Sequence, residues 1–582
     1  MFQRPLCFFA CFLPLLLPAE TMAATPATAP NPVQPLIERY SADHDLLVSV
    51  YSDPLAPVAV ERMTRFQAES RRQLHEVNFG ALDQEGRIDY LLLDNHITRE
   101  EHALALANRQ WKEVEPLLPV AAEIFALEDA RRAVLRPEGE KTARLLSRMS
   151  DELAARRREL EALPANSPQR PSRIVAFRAA DDLDEMHDQM AKWFDFYHGY
   201  DPEFSWWVDQ PWKQFESAMK EYAVFLREKM AGVPAGDKVT IIGNPVGRQA
   251  LLDQLSDEMI PYTPEELIAM ARQQMAWCRQ QMLQASREMG YGDDWRKALE
   301  KVKTEYVEPG KQPQMIHDLA IEGEDFVEKN HLVTVPALAR EGWRMEMMSP
   351  EHQLVNPFFT GGDTITVSFP TDSMTFAQRQ MSMRGNNIPF SHATVFHELI
   401  PGHWLQEYST ARYRPYRQLF STGFWVEGNA LYWEMLLWDH GFQQTPEQRM
   451  GALFWRMHRC ARIIFSLSFH LGQMTPDEAI NYLVDEVGHE RDNAAAEVRR
   501  SFNGSYDPLY QCAYLVGGMQ FRALHHELVD SGRMSDQQYH DAILQENMMP
   551  IELLRDLLTQ QPLTPSGKPQ WRFLDEIGTP KN

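Results

Sequence analysis

The segment SHATVFHELIPGHWLQEY (391–408) holds two histidines and an acid with the chemistry of a metal hydrolase. His397-Glu398 begins like the H-E-x-x-H zinc motif. There, two imidazoles one helical turn apart face the ion, and the adjacent glutamate acts as general base. The second histidine of that motif would stand at 401, where this sequence has Pro401; the next is His403, six residues after His397. A regular helix turns by roughly 100° per residue, so six residues leave the two side chains about 120° apart, too far to share an ion. Pro401 lacks an N–H, and its ring clashes with the carbonyl four residues back, that of His397. Gly402 permits backbone angles that other residues avoid. The sequence therefore predicts a helix broken or bulged between the histidines, which would return His403 toward His397. Without that break the pattern is a surface helix with scattered histidines.

A second element follows. FWVEGNALYWEMLLWD (424–439) is an amphipathic helix carrying Glu427, with Glu434 two turns later on the same face. Glu427 stands 24 residues after His403, room for a helix, a loop and a returning helix. Two His and one Glu, leaving a position for water, form a recognised catalytic zinc set, although imidazole and carboxylate also suit other ions. Glu427 alone would also fit an acid favoured at a helix N-terminus by the macrodipole. Glu434 fits either a carboxylate that orients a ligand histidine or a solvated face.

At these residues the chain resembles a known family. His397-Glu398-x-x-Pro401-Gly402-His403-x-x-Gln406, then Glu427-Gly428-x-Ala430-Leu431-Tyr432-x-Glu434, is similar to the motifs of the bacterial domain-of-unknown-function family 885. That family groups with gluzincin-type zinc peptidases. The likeness continues in GRQALLDQLSDEMIPYTPEELI (247–268), RMHRCARIIFSLSFHLGQMTPDEAINYL (456–483) and EVRRSFNGSYDPLYQCAYLVGGMQFRAL (497–524), and spans roughly residues 210–560. The resemblance implies a mainly α, gluzincin-like fold around a deep cleft, with a small β-sheet next to the metal-site helix. It implies Zn2+ held by His397, His403 and Glu427, and hydrolysis of peptide bonds, in short peptides if the cleft is enclosed.

Such chemistry also needs a base for the water, a donor for the developing oxyanion and a surface for substrate. Glu398 is the base. Tyr514, in a block to which the resemblance points, is the first candidate for the donor, with Tyr510 and His470 as the others. A tyrosine in an apolar helix is also a common packed residue, and His470, in SFHLG, also fits a structural histidine. Arg500 could grip a substrate carboxylate bidentately, or simply pair with Glu497 one turn away.

The elements that must position these residues are helical. Apolar residues recur at three-to-four spacing through Pro35–Ala162, WKQFESAMKEYAVFLREKM (212–230) forms another helix, and Thr263-Pro264-Glu265-Glu266 is a capped helix start. LPANSPQRPS (163–172) is a break, which predicts an N-terminal helical region (35–165) and a catalytic helical domain (166–582). TITVSFPT (364–371) is the best strand, and its edge could align a peptide by β-addition. The tryptophans of SWWVDQPW (205–212) fit core packing better than an aromatic subsite. Arg4, the apolar run Leu6–Leu17 and Thr21-Met22-Ala23 predict a signal peptide (1–23), followed by an Ala/Thr/Pro-rich flexible leader (24–34). The protein is thus expected to be periplasmic or secreted, without stable membrane insertion after cleavage. Cys11 lies inside the apolar run, the wrong place for a lipidation site.

Lys plus Arg number 58 against 82 Asp plus Glu, a net charge of −24. A surface this acidic repels phosphate backbones, so nucleic acid is excluded as a partner. Cys278, Cys460 and Cys512, an odd and sparse set, make no disulfide framework. Three readings remain: a zinc peptidase, a metal-dependent amide hydrolase acting on cell-wall-derived or other non-protein substrates, and a non-catalytic binding protein on a peptidase scaffold. Intact His397, Glu398, His403 and Glu427 favour the enzymes. Oligomeric state is not encoded in any feature of the sequence.

Overall fold

Helix starts in this chain carry their own signals. Thr263 caps the helix Pro264–Glu288: its hydroxyl accepts from the Glu266 N–H while the Glu266 carboxylate accepts from the Thr263 N–H, the reciprocal box that TPEE encodes. Thr445 opens Pro446–His470 in the same way. The structure, a computed structural model, describes residues 31–577 apart from 52, 238, 354–357 and 504–505. The expected signal peptide and residues 24–30 of the expected leader lie outside the described residues. Within them the protein is mainly α, with a single two-stranded sheet. No helix of the described residues is long and apolar enough to cross a membrane.

Apolar side chains gather in two large cores. One draws on residues from Ala56 to Ala231 and is built mainly by α1 (Gly139–Ala162), α2 (Arg173–Tyr197) and α3 (Pro202–Phe225). Leu160 and Ala176 both belong to it, so the boundary expected at 165 falls inside this core. Trp212 is buried there and Trp207 packs against it, whereas Trp206 is exposed. The larger core joins residues 33–97 to the C-terminal helices. Those that build the site are α4 (Pro264–Glu288), α5 (Ile388–Glu398), α6 (His403–Thr410), α7 (Gly423–Asp439), α8 (Pro446–His470), α9 (Arg491–Phe502) and α10 (Tyr510–His525).

The sheet pairs β1 (Arg344–Met347) with β2 (Thr364–Val367) in parallel, Arg344 opposite Thr364 and Met347 opposite Val367. Ile365 and Val367 cluster with Val395 and Leu399, so the sheet lies against α5. The edge of β2 away from β1 is not open to a peptide: Thr366 exchanges backbone hydrogen bonds with Thr360 on that side. The segment that reaches the site is the one before β2, residues 358–361.

Helices α7 and α10 cross at glycines. A β-carbon on Gly428 would lie 2.6 Å from the Gly517 α-carbon, and one on Gly517 would lie 2.2 Å from the Phe424 carbonyl oxygen. Backbone meets backbone here, and the crossing carries Tyr510 and Tyr514 of α10 to the Glu427 of α7. Gly517→Ala should therefore force the helices apart, at a cost of about 1–3 kcal/mol or more by overpacking. Urea denaturation checks this; a stability change below about 0.5 kcal/mol, the range of a neutral surface substitution, would refute the constraint.

Candidate metal centre and its cavity

Helix α5 stops at Glu398 because the chain beyond it cannot continue. Leu399 leaves helical geometry (φ −112°, ψ −106°), the Ile400–Pro401 peptide is cis, and Gly402 (φ −82°, ψ −133°) precedes the new helix at His403. Across the break, the Gly402 N–H donates to the Phe396 carbonyl at 2.9 Å and the Leu405 N–H to the Leu399 carbonyl at 3.3 Å. Each bond reaches six residues back instead of four, so the two extra residues are absorbed as a loop. Only glycine fits at 402, since a β-carbon would lie 1.9 Å from the His397 carbonyl oxygen. The break expected from Pro401-Gly402 is present, and it sets the His397 and His403 rings 4.8 Å apart, nearly perpendicular at 88°.

Glu427 completes the set from α7. Its Oε2 lies 3.6 Å from His397 Nε2 and 3.3 Å from His403 Nε2, and ligand atoms of all three residues fall within 4.8 Å of one another. The Oε1 atom accepts hydrogen bonds from the Tyr510 and Tyr514 hydroxyls, at 2.5 and 2.8 Å. The Oε2 atom is buried and has no hydrogen-bond partner among the described residues. A buried carboxylate oxygen without a hydrogen bond costs stability unless charge on the facing imidazoles, or a cation held between the three residues, offsets it. Two nitrogens and one oxygen are a donor set that fits Zn2+. Behind His397, Glu434 Oε1 sits 2.7 Å from Nδ1, which leaves Nε2 facing the set, as the carboxylate–histidine arrangement of metal sites requires.

Electrostatics couple the three residues. Burial works against a charge on His397, but Glu427 and Glu434 outweigh it and raise its pKa to about 9. His403 is raised in the same sense, burial being outweighed by Glu427. Glu427 is lowered well below the usual carboxylate range, because His403 and His397 outweigh its own burial. The phenols of Tyr510 and Tyr514 are pushed up, by burial first and then by charge and hydroxyl neighbours including Glu427, so both remain protonated donors.

Glu398 is half-buried beside the set. Its Oε2 accepts from the Gly361 N–H at 2.8 Å. A β-carbon on Gly361 would lie 2.4 Å from Glu398 Cβ and 2.6 Å from Oε2, so the strand-leading segment fits only as glycine. A cavity of about 350 Å3 opens here, and His397, His403, Glu427, Glu398 and Gly361 all line it.

The other residues singled out by sequence divide. Tyr514 and Tyr510 line the cavity. Arg500 lines it too, and it also donates to Glu497, so both readings of that residue describe one side chain. His470 is not brought to the site. It ends α8, some 8 residues beyond the cavity-lining Arg462, about 12 Å along a helix. Burial there lowers its pKa to about 4 and keeps it neutral. Sequence reasoning missed Gly361, Arg459 and Arg462. For the arginines a signal existed: Arg456, Arg459 and Arg462 recur every third residue inside an otherwise apolar helix, and all three are buried.

The family model described as "Bacterial protein of unknown function (DUF885)" matches residues 47–558, most of the chain. This chain belongs to the DUF885 family. The DUF885 match starts well before residue 210, where the recognisable motifs begin, so it takes in the N-terminal helices as well. No curated protein matches the chain significantly. Two solved structures share its fold. One, titled as a "putative lipoprotein of unknown function" from Shewanella oneidensis, is 16% identical with a TM-score of 0.64, covering 92% of this chain and 100% of that one. The other, a "putative lipoprotein" from Colwellia psychrerythraea, is 13% identical with a TM-score of 0.57, covering 91% and 98%.

Titration with Zn2+ tests the set through its protons. A folded-state pKa of about 9 means that His397 holds a proton below that pH and must release it to ligate. Apparent Zn2+ affinity should rise at least tenfold per pH unit between pH 6 and 9, more steeply where His403 must release a proton as well, then flatten. Competition with a chromophoric chelator measures this, and a flat profile would sink the assignment. Gly402→Ala, which cannot keep the break, should lose Zn2+ binding altogether.

Proposed function

We propose that this DUF885 protein is an exported zinc-dependent hydrolase of peptide bonds in short peptides. The observation that carries the reading is the convergence of His397, His403 and the unpaired Glu427 oxygen at the wall of a cavity that also holds Glu398. A divalent ion held by these three residues would supply Lewis acidity, acidifying water and polarising a carbonyl oxygen.

The rest of the work falls to the chain. Glu398 accepts a proton from the attacking water at its carboxylate and returns it to the leaving amine nitrogen. The Gly361 N–H holds one of its oxygens, which fixes the carboxylate plane while the other oxygen moves the proton. Tyr510 and Tyr514 both donate to Glu427 Oε1, and their hydroxyl oxygens are 3.2 Å apart. One hydroxyl can turn to the oxygen of the tetrahedral intermediate while the other keeps Glu427 bonded, an oxyanion donor that needs no backbone movement. Tyr514, the more buried of the two, is the preferred donor. A cavity of about 350 Å3 suits a few residues of peptide rather than a folded protein.

Export rests on the N-terminal pattern Arg4, Leu6–Leu17 and Thr21-Met22-Ala23. The titles of the two similar structures, both lipoproteins by name, agree with a life outside the cytoplasm.

Metal analysis of the purified protein and a peptide-library cleavage screen, on wild type and Glu398→Gln, decide the matter. Wild type should contain zinc and cleave peptides. Glu398→Gln should retain the zinc and lose about 10²–10⁴-fold in kcat, the range of a general base. Absence of metal from wild type, or equal cleavage by both proteins, would defeat the mechanism.

A further inference from the structure

The cavity has a cationic part of its lining. Arg459 and Arg462 of α8 and Arg500 of α9 line it together with Tyr506 and Tyr514. Their countercharges are few. Glu497 takes Arg462 Nε at 2.7 Å on one oxygen and Arg500 on the other, and it also accepts from Gln511. For Arg459 the nearest carboxylate oxygen is Glu434 Oε1 at 3.8 Å, and that atom is already 2.7 Å from His397 Nδ1.

Two of these guanidinium groups are left with open hydrogen-bonding capacity although they are shut away from bulk water. The Arg459 side chain is 8% exposed and that of Arg462 4%. Arg459 Nε and Arg462 Nη1 are buried and have no hydrogen-bond partner among the described residues. A buried cation with unused donors is expensive unless an anion completes it. Both groups lie over one face of the system, at 4.4 and 4.7 Å from the Tyr514 ring centroid, and the Tyr514 hydroxyl reaches Glu427. The ring that both arginines touch is thus the one whose hydroxyl bonds a member of the His397, His403 and Glu427 set.

We infer that Arg459 and Arg462 anchor a substrate carboxylate, so that the site favours peptides with a free C-terminus. The inference rests on the hydrolase reading above and adds the substrate class to it. The chemistry of the donors fits that ligand. A planar guanidinium grips a carboxylate through paired N–H donors, which an amide or an ester does not offer an anion to receive.

The test uses N-acetyl-trialanine as the free acid and as the C-terminal amide. Cleavage is followed with the zinc-loaded wild type, and binding is followed by calorimetry with zinc-loaded Glu398→Gln, which needs no turnover. A buried charged hydrogen bond corresponds to about 10–100-fold in affinity, so the acid should be favoured by at least that factor in kcat/KM and in Kd. Arg459→Gln should erase the preference by weakening the acid alone, and Arg459→Lys should restore part of it. Circular dichroism monitors folding, and should Arg459→Gln not fold, wild type and Arg459→Lys carry the comparison. Equal binding of acid and amide by Glu398→Gln overturns the inference. If wild type cleaves neither peptide but Glu398→Gln binds the acid selectively, the hydrolase reading falls and the anion site stands.

Discussion

Gly402 lies against the backbone of His397 so closely that a β-carbon there would fall 1.9 Å from the carbonyl oxygen. This contact turns a six-residue spacing, useless on a regular helix, into a pair of imidazoles that face one point. Pro401 ends the hydrogen-bond ladder of α5, and the glycine lets the chain fold back on the helix it has just left. Everything else in the site is arranged around the resulting corner. Glu427 reaches it from α7, Glu434 braces His397 from two turns further along the same helix, and the sheet packs under α5 through Ile365 and Val367.

Charge is distributed around that corner with little redundancy. Each buried carboxylate serves more than one cation: Glu427 faces two histidines, Glu434 a histidine and an arginine, Glu497 two arginines. Buried ions are tolerated only when paired and hydrogen-bonded, and here the pairing is drawn from helices far apart in sequence. The acids that stand open to the cavity, Glu398 and Glu407, sit on the α5–α6 side, and the arginines sit on α8 and α9. The cavity therefore carries side chains of both signs together with the three-residue set.

Much of this was legible in the sequence. The helix starts at Thr263 and Thr445 use capping residues whose chemistry is local, and local chemistry can be read. The break at Pro401-Gly402 and the face shared by Glu427 and Glu434 were legible for the same reason. What could not be read depends on tertiary packing. His470 and Arg459 lie on one helix, and nothing in the neighbouring residues says which turn of it borders a cavity. Gly361 looks like an ordinary turn glycine beside Gly362, and its need to be glycine comes from Glu398, 37 residues away. The β2 strand was recognisable, but not that Thr360 would occupy its edge. The division at 165 failed to mark a core boundary because a Pro/Ser-rich turn can join two helices of one core as readily as two domains.

The crossing of α7 and α10 has a consequence for how this protein can vary. At Gly428 and Gly517 no side chain mediates the contact, so the separation of the two helices is set by main-chain atoms alone. Neighbouring core positions can exchange one apolar residue for another of similar volume without moving the phenols relative to the Glu427 carboxylate. The glycines have no such latitude, since no enlargement at one can be offset by a reduction at the other, already the smallest residue. Tolerance and intolerance to substitution thus lie side by side in one helix pair: a permissive shell of packing residues around a rigid backbone junction that gauges the distance from hydroxyl to carboxylate.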